Sequence, residues 1–246
     1  MIEPEGTQDD PVGDVADGNS LLHMVTPDGH PAVFEVRDGS SDHNTVWSCV
    51  QEDEYHLRGL ALEGMALDAG AHIGGVSVAL ALDHPGLRVV AIEPVPPNVA
   101  LLRANLARNG VADRVTVVAG AVAAPGMHRA IVAWDFAGGV SAEHHRFIGN
   151  VRHIPYERCE QLEVDAWDMR RLVALAGGDI AFAKIDCEGG EYGLLRSSAV
   201  AHVGTIVGEF HAGYERLVAL LARTHDVSRT SGDDSLGGFL AQRKGK

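Results

Sequence analysis

The chain has 246 residues, 46% of them apolar and 22% charged, which is enough for one large globular core and too apolar for disorder throughout. Its 34 acidic residues against 20 basic ones leave a formal net charge of -14, which would repel a phosphate backbone and argues against nucleic acid as a partner. No apolar run reaches the ~18 residues of a membrane span, and the start MIEPEGTQDDPVGD lacks the basic and apolar regions of a secretory signal, so the cytoplasm is the expected compartment.

Residues 1–20 carry Asp9, Asp10, Asp14 and Asp17 among Gly and Pro with no apolar period, which reads as a flexible acidic arm. The rest, 21–246, reads as a single domain. Segment 21–62, with Trp47 and the polar run SSDHN, is expected to cap it. From Gly64 the runs MALDAG, VSVALALDH, RVVAIEP, NVALLRANLARNG and RVTVVAGAV alternate strand, helix, strand, helix, strand, because strands covered on both faces read as continuous Val, Ile, Leu and Ala. Residues 125–165 have no clear period and are too long for a plain connection, so they form a second candidate cap, containing Trp134, Asp135, His144, His145 and His153. Then DIAFAKID, EGGEYGLLRSSAV, GTIVGEFH and GYERLVALLART continue as strand, helix, strand, helix. The tail THDVSRTSGDDSLGGFLAQRK predicts an antiparallel hairpin. The sum is an α/β, Rossmann-like, doubly wound and mostly parallel seven-stranded sheet. Cys49, Cys159 and Cys187 form no CxxC pair, so they are expected as reduced thiols.

The loop Asp68-Ala69-Gly70-Ala71-His72-Ile73-Gly74-Gly75 joins the first of these strands to its helix, where backbone N–H groups can approach a ligand closely. A dinucleotide fingerprint would have glycine at the position of His72. Asp68 beside the turn would repel a pyrophosphate, yet suits the ammonium and sulfonium of S-adenosylmethionine. Glu93, 23 residues after Gly70, falls where an acidic residue accepts hydrogen bonds from ribose hydroxyls. Asn98 is positioned to cap the next helix, and Gly120-Ala121 are small enough to let an adenine lie against the backbone. Asp68, Gly70, His72, Gly74, Glu93, Asn98, Gly120 and Ala121 are therefore the cofactor-binding candidates.

LDAGAHIGG resembles the D-x-G-A-N-x-G loop of the FkbM family of S-adenosylmethionine-dependent methyltransferases, with His72 where that family has asparagine. AIEPVPPNVALLRANLARNG is similar to its E-P-x-P segment, and Lys184-Ile185-Asp186-Cys187-Glu188-Gly189-Gly190-Glu191 is similar to its K-I-D-x-E-G-x-E signature. The resemblance spans about residues 64 to 212. It implies a class I methyltransferase fold and methyl transfer to oxygen, commonly on sugars or natural products.

Asp186 ends the fourth of these strands, the edge at which ligands bind in open sheets, and is expected to face the methyl. Lys184, one of only three lysines, leaves the same face two residues earlier and can pair with it. Glu209 and His211 share a face at the end of the fifth. Asp186 and Glu209 with His211 could hold Mg²⁺, which prefers oxygen ligands; the competing reading is metal-free, with His211 or His144 as general base. Trp134 offers an apolar face to sugar C–H groups, with polar neighbours for the hydroxyls. The catalytic candidates are thus Asp186, His144 and His211, and the substrate-binding candidates Trp134, Asp135, His145, Lys184 and Glu188. The expected activity is O-methylation of a sugar, an oligosaccharide or a glycosylated natural product. A saccharide or other small molecule is the acceptor, and a homodimer is the candidate assembly. The alternatives are an NAD-dependent oxidoreductase and a non-catalytic S-adenosylmethionine-binding module.

Overall fold

The computed structural model describes residues 15–134, 160–211 and 213–245. In chain order the strands before the insertion are β1 (Asn19–Val25), β2 (Pro31–Arg37), β3 (Gly64–Ala69), β4 (Leu87–Glu93), β5 (Val115–Ala119), β6 (Ala121–Val122) and β7 (Arg129–Trp134). After it come β8 (Glu160–Trp167), β9 (Ile180–Ile185), β10 (Val203–Phe210), β11 (His225–Arg229) and β12 (Gly237–Arg243). The helices are α1 (Asp42–Val46), which runs into a π-helical turn over Trp47–Gln51, α2 (Gly75–Asp83), α3 (Pro96–Arg108), α4 (Met169–Leu175), α5 (Glu191–Leu195) and α6 (Tyr214–Leu221).

Seven strands form the central sheet in the order β11-β12-β10-β9-β3-β4-β5. Only β12 runs against the others, pairing antiparallel with both β10 and β11. Along each buried strand successive side chains leave on opposite faces. Val89 and Ala91 pack with Leu80, Leu102 and Leu106 on the α2–α3 side, while Val90 and Ile92 pack with Leu194, Leu172 and Leu217 on the α4–α6 side. The chain leaves β3 for β4 and β5, then returns to β9 on the other side of β3. That reversal opens a crevice at the carboxyl ends of β3 and β9, where an open α/β sheet binds its ligand.

Before this sheet lies an antiparallel hairpin, β1–β2, that the sequence pattern did not disclose. Its outer strand is satisfied by a helix. Asn105 accepts from Glu35 N–H at 2.7 Å and donates to Glu35 C=O at 3.1 Å, and Asn109 does the same with Val33 at 2.9 and 2.7 Å. Four residues along a helix rise ~6 Å and two along a strand ~6.6 Å, so two asparagine amides can stand in for a neighbouring strand. The hairpin is thereby fixed on α3, with Arg108 and Glu35 paired beside it at 2.8 Å.

Four details differ from the sequence reading. RVTVVAGAV is two strands, because the chain leaves the sheet at Gly120 and β6 pairs with β8. Segment 125–165 contributes β7 and β8, which form an antiparallel pair. EGGEYGLLRSSAV is helical only from Glu191 to Leu195, after which Ser197 accepts from Ala199 N–H and opens a 3₁₀ turn. Asn98 does not cap α3: the helix starts two residues earlier on Pro96 and Pro97, whose fixed φ and missing N–H suit a first turn. Among the described residues no helix is long and apolar enough to cross a membrane.

Candidate active site

The loop after β3 is pressed against the end of β9. Gly70 has φ +78°, and a Cβ there would lie 1.8 Å from the carbonyl oxygen of Asp186, so no other residue fits. Asp186 N–H in turn donates to Ala69 C=O at 3.1 Å. Gly74 has φ +99°, and a side chain there would strike Leu102 of α3.

Asp68 is fully buried at the head of this loop. Ser77 donates to its Oδ2 at 2.6 Å, and Lys184 Nζ lies 3.7 Å from its Oδ1. Burial raises the Asp68 pKa, an effect that Lys184 partly offsets. Lys184 donates to the Gly70 carbonyl at 2.7 Å, sits 3.9 Å from Asp186 and lies 5.2 Å from the centre of the Tyr55 ring. Burial opposes its charge, but Asp186 and Asp68 outweigh it and hold its pKa above the ordinary lysine value. The side chain named from sequence as a substrate ligand is thus the bolt between loop and strand.

At the end of β4, Glu93 accepts from His72 N–H and Val95 N–H at 3.0 Å each and from the Asn98 amide at 3.1 Å. Burial raises its pKa. His72 takes a left-handed backbone, φ +50°, and its Nε2 lies 3.4 Å from Asp42. Asp42 is gripped by the Arg37 guanidinium at 2.8 and 2.7 Å.

On the opposite wall the Tyr55 hydroxyl donates to Asp186 Oδ2 at 2.9 Å; Asp186 Oδ1 is buried with no hydrogen-bond partner among the described residues. Glu54 and Glu209 both line this part of the cavity. Burial first, then the charges of Asp186 and Glu54, push the Glu209 pKa up to about 7. His211 Nδ1 is 2.8 Å from Glu191 Oε1, and its Nε2 is 3.5 Å from Glu209 and 3.7 Å from Glu188. Burial works against the imidazolium, but Glu191, Asp186 and Glu188 outweigh it and raise the His211 pKa to about 9.

These groups surround a cavity of about 360 Å³. Asp68, Gly70, His72, Glu93 and Asn98 line it from β3 and β4; Lys184, Asp186, Glu188, Glu209 and Trp134 line it from the other side. Gly74, Gly120, Ala121 and His211 stand behind the wall. At Gly120 a Cβ would lie 2.8 Å from the Asp165 carbonyl and 2.9 Å from the Trp167 ring. Asp135, His144 and His145 lie outside the described residues. For His211 as a general base, the surrounding carboxylates favour the imidazolium form. Among the described residues the group whose ligand atoms lie within 4.8 Å of one another is Asp186, Glu191 and His211, with Glu209 3.5 Å from His211. Sequence reasoning missed Glu54, Tyr55 and Asp42, which come from a stretch with no period and no motif.

The strand order, the single reversed strand and the cavity at the β3–β9 switch point are those of the class I methyltransferase fold. Residues 68–226 match the methyltransferase FkbM domain family, and the chain belongs to it; it is a methyltransferase, of a family and fold that use S-adenosylmethionine. It is 28% identical over 203 residues to the 31-O-demethyl-FK506 methyltransferase FkbM of Streptomyces tacrolimicus, covering 74% of this chain and 71% of that one. Among solved structures, a Clostridium thermocellum chain assigned as an rRNA methylase superposes with TM-score 0.51 at 12% identity, covering 80% of this chain and 96% of that one. The precorrin-6y C5,15-methyltransferase of Geobacter metallireducens gives TM-score 0.42 at 16% identity, covering 76% and 83%. The nicotinamide alternative finds no support in these likenesses.

Proposed function

We propose that the protein transfers a methyl group from S-adenosylmethionine to a hydroxyl of a sugar, an oligosaccharide or a glycosylated natural product in the cytoplasm. The observation that carries the reading is the buried Asp68 carboxylate at the head of a glycine loop that lines the cavity, a charge suited to a cationic cofactor. The residues present fit that group. Gly70 leaves the approach to the backbone open. Glu93 uses three of its ~four lone-pair sites on protein donors and keeps one for a ribose hydroxyl.

When bound, S-adenosylmethionine supplies an electrophilic methyl carbon. The protein must align the acceptor oxygen at ~3 to 3.5 Å and accept one proton. Asp186 does both in this reading: Tyr55 and Lys184 lie against its carboxyl, and that carboxyl receives the hydrogen of the acceptor hydroxyl. Trp134, at the end of β7, lines the cavity but is 5% exposed and packs with Val95, Ala121, Val132 and Val164, so any contact with sugar C–H groups is confined to its edge on the cavity. Mg²⁺ held by Asp186 and His211 would need a neutral imidazole; the protonated ring already supplies a positive charge there, so the proposed chemistry runs without a metal.

The test combines calorimetry and product analysis. S-adenosylhomocysteine should bind the wild-type chain, and an acceptor screen followed by mass spectrometry should find the new methyl on oxygen. Asp186→Asn should lose turnover while S-adenosylhomocysteine affinity stays within about threefold. Full activity in that variant, or a methyl found on carbon, would end the proposal.

A further inference from the structure

β7 meets the cavity with its backbone. Val132, Ala133 and Trp134 are consecutive, and all three line it. Successive side chains of a strand leave on opposite faces, so three in a row border one space where that space runs along the edge of the strand. β7 is the outer strand of the β6-β8-β7 sheet. One of its edges is taken by β8, with Ala133 opposite Gln161 and Trp134 opposite Glu160. The other is unpaired among the described strands and is the edge left to face the cavity.

The place of this edge decides what it meets. Glu93 ends β4 and is followed by Pro94 and Val95, which line the same cavity. Val95 packs in one buried cluster with Val132 and Trp134. With Glu93 holding the ribose and Asp68 toward the sulfonium, a base joined to that ribose leaves it on the side away from the sulfur, where Pro94 and Val95 adjoin β7. The turn after β5 stands behind this surface. Ala121 is fully buried in the same cluster, and a Cβ at Gly120 would lie 2.8 Å from the Asp165 carbonyl of β8.

The chemistry of the slot suits a purine. Pro94, Val95 and Val132 give it apolar sides, and the strand edge gives it N–H donors and C=O acceptors at a fixed spacing, the few oriented polar groups by which an apolar pocket sets the pose of its ligand. Adenine needs both kinds: its amino group donates and the ring nitrogens beside it accept. Val132, Ala133 and Trp134 are at most 5% exposed, so their peptide groups have little water to bond and a base that pairs with them satisfies groups that are costly to bury alone.

Building on the methyltransferase reading above, we propose that β7 reads the adenine of the cofactor, pairing the base along its unpaired edge at Val132–Trp134 while Pro94 and Val95 lie against the ring. The strand that carries base recognition thus lies outside the central sheet. The cavity edge of Trp134 belongs to the cofactor in this arrangement, and the acceptor is left to the wall around Asp186.

The test uses the full chain and needs no acceptor. S-adenosylhomocysteine carrying an azide at carbon 2 of its adenine is bound to the wild-type protein and photolysed, and the labelled peptide is mapped by mass spectrometry. The label should fall on Val132, Ala133 or Trp134 and be suppressed by excess S-adenosylhomocysteine. Calorimetry adds two comparisons. S-inosylhomocysteine, in which the amino donor becomes an acceptor and the neighbouring ring nitrogen a donor, should bind the wild-type chain at least about tenfold more weakly than S-adenosylhomocysteine, since the strand's fixed donors and acceptors then meet their own kind. Ala133→Leu, first checked for a cooperative melting curve, should cut S-adenosylhomocysteine affinity at least about tenfold by filling the slot. A label mapped away from β7, equal affinities for the two nucleosides, or unchanged affinity in a folded Ala133→Leu would overturn the inference alone. Failure of S-adenosylhomocysteine to bind the wild-type chain would overturn the methyltransferase reading itself.

Discussion

The Tyr55 hydroxyl stands 2.9 Å from Asp186 Oδ2, tying a segment outside the family-matched stretch to the residue at the end of β9 that faces the cavity. The bond engages Oδ2 of the carboxylate. Tyr55 does not touch the reacting atoms in this arrangement; it fixes the direction of Asp186. Tyr55→Phe should lower kcat about tenfold, the effect of losing a hydrogen bond to a charged group worth about 1.5 kcal/mol, and leave S-adenosylhomocysteine affinity within about twofold. A fall in cofactor affinity as large as the fall in kcat would show that Tyr55 holds the loop and not the carboxylate.

Lys184 contacts both sides of the cleft, and removing its charge strands two partners at once. Lys184→Met keeps the length and apolar stem but leaves the fully buried Asp68 and the cavity-facing Asp186 without their cation. Breaking a buried pair in this way costs about 3 to 5 kcal/mol. Urea unfolding of the variant should show that loss, partly recovered in the double variant Lys184→Met, Asp68→Asn, because the second change removes the stranded charge. No recovery in the double variant would mean that Lys184 acts only through its bond to the Gly70 carbonyl.

Much of this frame was readable beforehand, because parallel buried strands and amphipathic connections leave marks in a single chain. Gly70, Asp68 and Glu93 could be named since a tight turn needs a residue without Cβ and a charge beside it has few other uses. Asn98 was found for the wrong job: the eye sees a cap residue after prolines, whereas the fold spends its amide on Glu93 and Arg37. Glu54, Tyr55 and Asp42 were out of reach. Their neighbours in the fold, Glu209, Asp186 and His72, lie far along the chain, and contacts at that separation follow from topology and not from spacing. The π-helical turn over Trp47–Gln51 also defeats a search for a 3.6-residue period.

The pH dependence of stability should carry the signature of His211. Its ordinary pKa of 6.5 rises to about 9 in the folded protein, so the folded form holds the proton more tightly than the unfolded chain. The stabilisation is complete below pH ~6.5, declines between ~6.5 and ~9 and is absent above that. With the side chain 17% exposed and its ion pairs partly screened, His211→Gln should cost on the order of 1 to 2 kcal/mol at pH 6 and much less at pH 10. Denaturation curves at the two values measure it. A cost that grows with pH would mean that the ring is neutral in the folded state.

The same imidazolium bears on metal dependence. Asp186, Glu191 and His211 are close enough to share an ion, but a divalent cation would have to displace the proton from a ring held by Glu191 at 2.8 Å and meet Glu188 and Glu209 on the other nitrogen. Metal binding requires the neutral imidazole, so affinity falls as the ring's pKa rises. Methyl transfer measured after dialysis against EDTA should therefore stay within about twofold of the untreated protein, and added Mg²⁺ should not raise it. Conversely, His211→Gln should depress the rate whether or not Mg²⁺ is present, because it removes the positive charge that offsets Glu188, Glu191 and Glu209. A rate that collapses in EDTA and returns with Mg²⁺ would mean that the ring gives up its proton to an ion, and that Asp186 works as a ligand first.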